Sequence, residues 1–204
     1  MAVYIEYISR RPGVPLQSFH AIAGPGQAKW AAEYGVDRLI LNIGRTWRLG
    51  AEPEYMAVWH TPGQGVDRLG GWAAIFATGE ADHVELPFEA AARIDVAGFY
   101  EPLREPVPGE GPLYYGEFFD VAAAASREDV ASFYEERVRR HPERVLNLVA
   151  DRIGMLGPDP RGIAVWQLAS YDDVEQAATE LDGMTTPVVL VRAGLYADIG
   201  REIL

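Results

Sequence analysis

Four histidines, a few carboxylates on apolar segments and a set of arginines carry what chemistry this chain can offer. His60 follows Met56 and Val58 at alternate positions of an apolar stretch. On a strand those three side chains share one face. An imidazole there, titrating near neutrality, suits general acid/base work. Arg45 and Glu6 stand on other apolar stretches, where they could orient His60 or bind a developing oxyanion. Those three form the candidate catalytic set. The candidate binding set is His20, Trp30, Trp47, Tyr55, Trp59, Glu117 and Arg152. A plainer alternative stays open for each. The aromatic residues would also serve as core packing, and Glu6, Glu117, Arg45 and Arg152 as ion pairs between sheets. The histidines show no His-x-His or His-x₃-His spacing, so no metal site is expected.

These residues belong to an internal repeat. Leu49-Gly50-Ala51-Glu52-Pro53-Glu54-Tyr55-Met56-Ala57-Val58-Trp59 aligns without gaps on the segment from Leu156 to Trp166, with six of eleven pairs identical at an offset of 107. Arg45 falls on Arg152 at the same offset, and His60 on Gln167. Two shorter blocks keep the same order. Tyr4 to Ile8 matches Tyr115 to Phe119, which sets Glu6 against Glu117. Ala97 to Tyr100 matches Ala193 to Tyr196. The chain therefore reads as two copies of one unit, 1–104 and 112–204. They are joined by a linker at 105–111 whose prolines and glycines cannot continue a helix or a central strand.

The elements that position the candidates follow from patterning. In the second copy, Tyr114 to Phe119 reads as a strand, Ser126-Arg127-Glu128-Asp129 as a capping box, and Val130, Phe133, Tyr134 and Val138 as a helical stripe. Strands follow at Val145 to Ile153 and Ile163 to Leu168. A second capping box, Ser170 to Asp173, opens a helix through Leu181, and a valine-rich strand runs from Pro187 to Leu195. The order is βαββαβ, the ferredoxin-like unit. The first copy repeats it with strands at Val3 to Ser9, Leu39 to Trp47, Tyr55 to Thr61 and Ala92 to Tyr100. Its first helix is broken by Gly24-Pro25-Gly26 before a segment from Gln27 to Tyr34. A helical stripe runs over Leu69, Trp72, Ala73 and Phe76, and an insertion over 78–92.

One ferredoxin-like unit leaves a sheet face bare, and two copies bury it by packing sheet on sheet. The expected fold is α+β, with duplicated units closing an α+β barrel. In this the chain resembles the dimeric α+β-barrel superfamily. That group includes antibiotic-biosynthesis monooxygenases, stress-responsive A/B-barrel proteins, NIPSNAP-like proteins and chlorite-dismutase-like haem proteins. The resemblance implies a small-molecule pocket between sheet and helices and dimerisation through strand edges. It also implies an enzyme for an apolar, aromatic or polyketide-like substrate, working by oxygenation, cyclisation or isomerisation with no cofactor. A non-catalytic ligand-binding protein is the first alternative. A haem protein with His60, His20 or His141 as axial ligand is the second.

Composition narrows the partners. The 204 residues carry 18 basic and 30 acidic side chains, a net charge of −12. That argues against nucleic acid and anionic membranes. The charge divides into −4 over 1–106 and −8 over 107–204, so the plainer second copy is the more acidic. With no cysteine there is no disulfide, thiolate metal site or cysteine nucleophile. The N-terminus lacks the basic-then-apolar pattern of a signal peptide, and no uncharged apolar run approaches about 20 residues. A cytoplasmic protein is the expectation.

Overall fold

The computed structural model describes residues 2–26, 38–50, 53–61, 88, 90–155, 157–181 and 184–199. The expected segment at Gln27 to Tyr34, the stripe over Leu69 to Phe76 and nearly all of the insertion at 78–92 lie outside them. The strands are β1 (Ala2–Arg10), β2 (Arg38–Gly50), β3 (Tyr55–Thr61), β4 (Ala92–Pro102), β5 (Leu113–Val121), β6 (Val145–Arg152), β7 (Gly162–Leu168) and β8 (Val188–Asp198). The helices are α1 (Leu16–Ala21), α2 (Arg127–Arg140) and α3 (Asp172–Thr179). A π-helical segment, Ile22–Gly26, continues α1 through the predicted break at Pro25.

The strands close into one barrel in the order β1-β3-β2-β8-β5-β7-β6-β4. The two halves of the chain are joined edge to edge: β2 pairs with β8, and β4 with β6, all antiparallel. Closure needs bent strands, and β-bulges supply the bends. They fall at matching places in the repeat. One pair lies between Leu39 and Leu41 in β2 and between Leu146 and Leu148 in β6. The other lies between Tyr7 and Ile8 in β1 and between Phe118 and Phe119 in β5.

Three apolar clusters fill the structure. The first occupies the barrel interior and includes Val3, Ile5, Ile43, Met56, Val58, Phe118, Leu148 and Val165. The second lies outside β5–β8 and beneath α2 and α3, around Phe119, Tyr134 and Trp166. The third lies outside the first-half sheet beneath α1, around Ile8, Phe19, Tyr55 and Trp59. Strands buried on both faces read as continuous apolar runs rather than as alternation. This is why β5, LYYGEFFDV, is buried at every position from Leu113 to Phe119, with Glu117 the one charged residue among them.

Helix α2 forms as its sequence directs. The Ser126 hydroxyl accepts from the Asp129 amide while the Asp129 carboxylate accepts from the Ser126 amide, a complete capping box. Those Ser126 bonds hold the exposed Asp129 carboxyl below its ordinary pKa. Ser126→Ala is expected to cost about 0.5–2 kcal/mol, read by urea unfolding. Before α3, whose N-cap is Tyr171, the Asp173 carboxylate accepts from both the amide and the hydroxyl of Ser170, so the expected second box is only half formed.

The linker is stitched across one mouth of the barrel. The Leu103 amide donates to the Val149 carbonyl, that of Val107 to Asn147, and that of Gly109 to Ile40. Asn147 returns its side-chain amide to the Val107 carbonyl. The Gln167 Oε1 accepts from the amides of Glu110 and Gly111. A Cβ on Gly111 would stand 2.6 Å from the Gln167 side chain, so only glycine lets the linker pass this close.

Candidate functional site

His60 lies near the linker mouth, on the inner face with Met56 and Val58. Its ring borders a cleft of about 120 Å³ shared with Ile40, Glu105, Pro106 and Pro108. A neighbouring cleft of about 150 Å³ is bounded by Leu39 to Asn42, Gly109, Tyr114 and Asp198. Each falls short of the roughly 300–1,000 Å³ typical of small-molecule pockets. The repeat explains the location, since Gln167, the counterpart of His60, also sits under the linker and binds it.

The structure does not bring the catalytic set together. Glu6 alternates with Ile5 and Tyr7 and therefore points out of the barrel, away from the face that carries His60. There its carboxylate accepts from Trp59 Nε1 at 2.9 Å. Arg45 faces the interior, but His60 pairs with Arg38, seven residues earlier on β2. At about 3.3 Å per residue that separates Arg45 from His60 by roughly 20 Å along the strand.

Glu117, the counterpart of Glu6, also points outward and is wholly buried. Arg137 on α2 grips it with two guanidinium bonds, of 2.7 and 2.8 Å, and Tyr134 donates to it at 3.0 Å. The same guanidinium reaches Glu180 at 2.9 Å and lies 4.8 Å above the Trp166 ring. Burial opposes the charge on Arg137, but the hydrogen bonds and charge of Glu117, with those of Glu180, outweigh it and raise its pKa. Burial, with the neighbouring Glu117 charge adding to it, raises the Tyr134 hydroxyl well above its usual range. Both Trp59 and Trp166 lie outside the barrel, each over its own half's carboxylate layer. Trp166 Nε1 is buried without a hydrogen-bond partner.

A second group of polar side chains gathers in the first half. His20, in the last turn of α1, meets the Tyr55 ring edge-on with centroids 5.8 Å apart, and Phe19 beside it is fully buried. Burial first and the charge of Arg10 second lower the His20 pKa below 6.5. Arg10 donates to the Val14 carbonyl, yet its Nε is buried with no acceptor. Trp30 lies outside the described residues, as does the Trp47 side chain. His141 caps α2 and faces Glu143 at 3.2 Å and Glu180 at 3.4 Å. Among the described residues no group of three metal-ligating side chains occurs.

Arg152 stands at the end of β6 and faces inward. It bonds the carbonyls of Gly157 and Pro158 and the Asp159 carboxylate. Directly across from it on β4 is Tyr100. That contact, and the matching one between Arg45 and Tyr196, could not be anticipated from sequence. Both depend on which strands meet when the barrel closes.

No family model matches the chain, and no curated protein matches it. Solved structures do match along nearly the whole length. A mutant chlorite dismutase from Candidatus Nitrospira defluvii, in complex with cyanide, superimposes with a TM-score of 0.57 at 11% identity, over 98% of this chain and 91% of that one. A novel heme-binding protein from Thermus thermophilus gives 0.57 at 12% identity, over 97% and 91%. The second neighbour is described as heme-binding, which overturns the expectation of a fold working without a cofactor. Among the described residues no helix is long and apolar enough to cross a membrane. The fold of this chain is an α+β barrel similar to those of these two proteins.

Proposed function

We propose that the chain is a haem-binding protein and that its haem site lies on the outer face of the first half. The second half does not fit the group. The space between its sheet and α2 is taken by Phe119, Tyr134, Trp166 and the Arg137–Glu117 pair. Its one histidine, His141, is engaged by two carboxylates. Nor does the barrel interior fit, being filled by closely packed buried side chains.

The residues around α1 do fit. Haem supplies a redox-active iron where it binds. His20, half-buried, offers a ring nitrogen at the edge of the apolar, aromatic cluster of Phe19 and Tyr55, the kind of environment that a macrocycle requires. Arg10 offers a cation for a propionate. Its guanidinium bonds the Val14 carbonyl and interacts with the Tyr55 hydroxyl, and its Nε, buried without an acceptor beside His20, is the observation that carries this reading.

Hemin titration followed in the Soret region tests it. The wild-type chain is expected to take up one equivalent. His20→Gly is expected to bind at least about tenfold more weakly and to be rescued by free imidazole, Arg10→Gln is expected to weaken binding, and His141→Ala to leave it unchanged. A wild-type chain that takes up no hemin, or a His20→Gly variant that binds as well as wild type, overturns the reading.

A further inference from the structure

Away from the linker mouth, polar side chains gather at one place in the barrel interior. Three tyrosines, Tyr7, Tyr100 and Tyr196, are buried there at 5%, 0% and 0% exposure. Their hydroxyls make no well-formed hydrogen bond, although those of Tyr7 and Tyr100 interact with one another. Arg45, Arg152 and Arg192 surround them on the same inner face. Register sets the arrangement: Arg45 is directly opposite Tyr196, Arg152 opposite Tyr100, and Arg192 opposite Phe118. The Arg192 guanidinium lies 5.1 Å above the Phe118 ring, and the Tyr7 ring meets that same ring edge-on at 6.0 Å. The Nε atoms of Arg152 and Arg192 are also buried without an acceptor. These groups lie away from the linker mouth: Asn147 of β6 bonds the linker, while Arg152 ends that strand.

Donors outnumber acceptors in the cluster. A guanidinium can only donate, and a tyrosine hydroxyl has one proton to give. Burial raises all three hydroxyls, Tyr100 to about 12, so they keep those protons at neutral pH. At the rim, Asp159 meets Arg152 with a carboxylate that is 89% exposed and accepts from an Arg192 terminal nitrogen at its main-chain carbonyl. A buried donor left without an acceptor costs about 1–3 kcal/mol. Several such donors on one inner face call for an acceptor with more than one oxygen.

The repeat separates framework from addition. Arg45 and Arg152 match at an offset of 107, and Tyr100 and Tyr196 end matching blocks, so two Arg–Tyr pairs follow the duplication. Tyr7 and Arg192 do not follow it, since their counterparts are Phe118 and Val96. Two more donors have thus been placed at the centre of a symmetric frame.

We propose that this cluster is a binding site for a small oxyanion, one carrying a carboxylate or a phosphate group, held by Arg45, Arg152 and Arg192 with Tyr7, Tyr100 and Tyr196 as donors. The site lies inside the barrel and is independent of the haem reading on the outer face.

Calorimetric titration of the intact chain with inorganic phosphate and with acetate, at ionic strength held constant with chloride, tests the proposal. One of the two is expected to bind saturably and to raise Tm, which also identifies the headgroup. Arg192→Gln is expected to weaken that anion about tenfold or more, and Tyr196→Phe to weaken it by a smaller factor. Far-ultraviolet circular dichroism checks that each variant is folded. If neither anion binds better than chloride, or if binding survives Arg192→Gln unchanged, the proposal is overturned. A Tyr196→Phe variant with a higher Tm and undiminished anion binding overturns it as well, because the hydroxyl would then make no bond worth keeping.

Discussion

Arg137→Ala is expected to destabilise the protein by about 3–5 kcal/mol, the cost of leaving one member of a buried ion pair without its partner. Glu117 is fully buried and Arg137 is 2% exposed, so the abandoned carboxylate could not recover water. For a chain of this size the loss amounts to a fall in Tm of roughly 6–20 °C, measurable by calorimetry. The double variant Arg137→Met with Glu117→Gln, which removes both charges and keeps the volume, is expected to recover much of it. The pH dependence has a definite sign. Burial raises the Glu180 carboxyl, but the hydrogen bond and charge of Arg137, with His141 and Arg144, outweigh it and hold its pKa below 4.5. The stabilisation from that depression is complete above the unfolded value and is lost as the pH falls through the lower folded one. Without Arg137 the depression shrinks, so the variant's stability should fall less steeply in acid than that of the wild type. An Arg137→Ala protein as stable as wild type would mean that the Glu117 layer is reached by solvent.

Trp59→Ala is expected to cost about 3–5 kcal/mol as a buried aromatic deletion. The more informative comparison is between the two matched tryptophans. Trp59→Phe removes the donor to the buried Glu6 carboxylate and should cost about 1–3 kcal/mol. Trp166→Phe removes an Nε1 that donates to nothing and should cost less than about 1.5 kcal/mol. Equal losses, measured by urea unfolding, would show that the Trp59–Glu6 bond contributes nothing net. The two halves solve one problem differently. Each places a carboxylate outside the barrel, and the first half meets it with an indole while the second uses a guanidinium and a phenol from α2.

Much of the architecture was legible in the chain. Helical spacing of Val130, Tyr134 and their neighbours and the Ser126 box depend on nearest neighbours along the sequence. Such interactions act over one or two turns, so patterning exposes them. The α+β barrel followed because two sheets with one bare face each have few ways to bury it. The relation of side chains on one strand was also legible, because alternation is local. It puts His60 on the face of Met56 and Val58.

Relations between strands were not legible. A carboxylate in mid-strand reads the same whichever face is inside, and Glu6 proves to point outward, toward Trp59, while His60 points inward. Arg45 and His60 sit on neighbouring strands, but only the register of β2 against β3 reveals that they stand far apart. Nothing in the order of residues pairs Arg45 with Tyr196 or Arg152 with Tyr100, since those contacts join the first half to the second at the seams of the barrel. The repeat, the elements and the class of fold rest on interactions that are short along the chain, and the residues alone define them. Which polar groups meet is settled by barrel closure and strand register, because these bring residues from distant parts of the chain together and bury them on a common face.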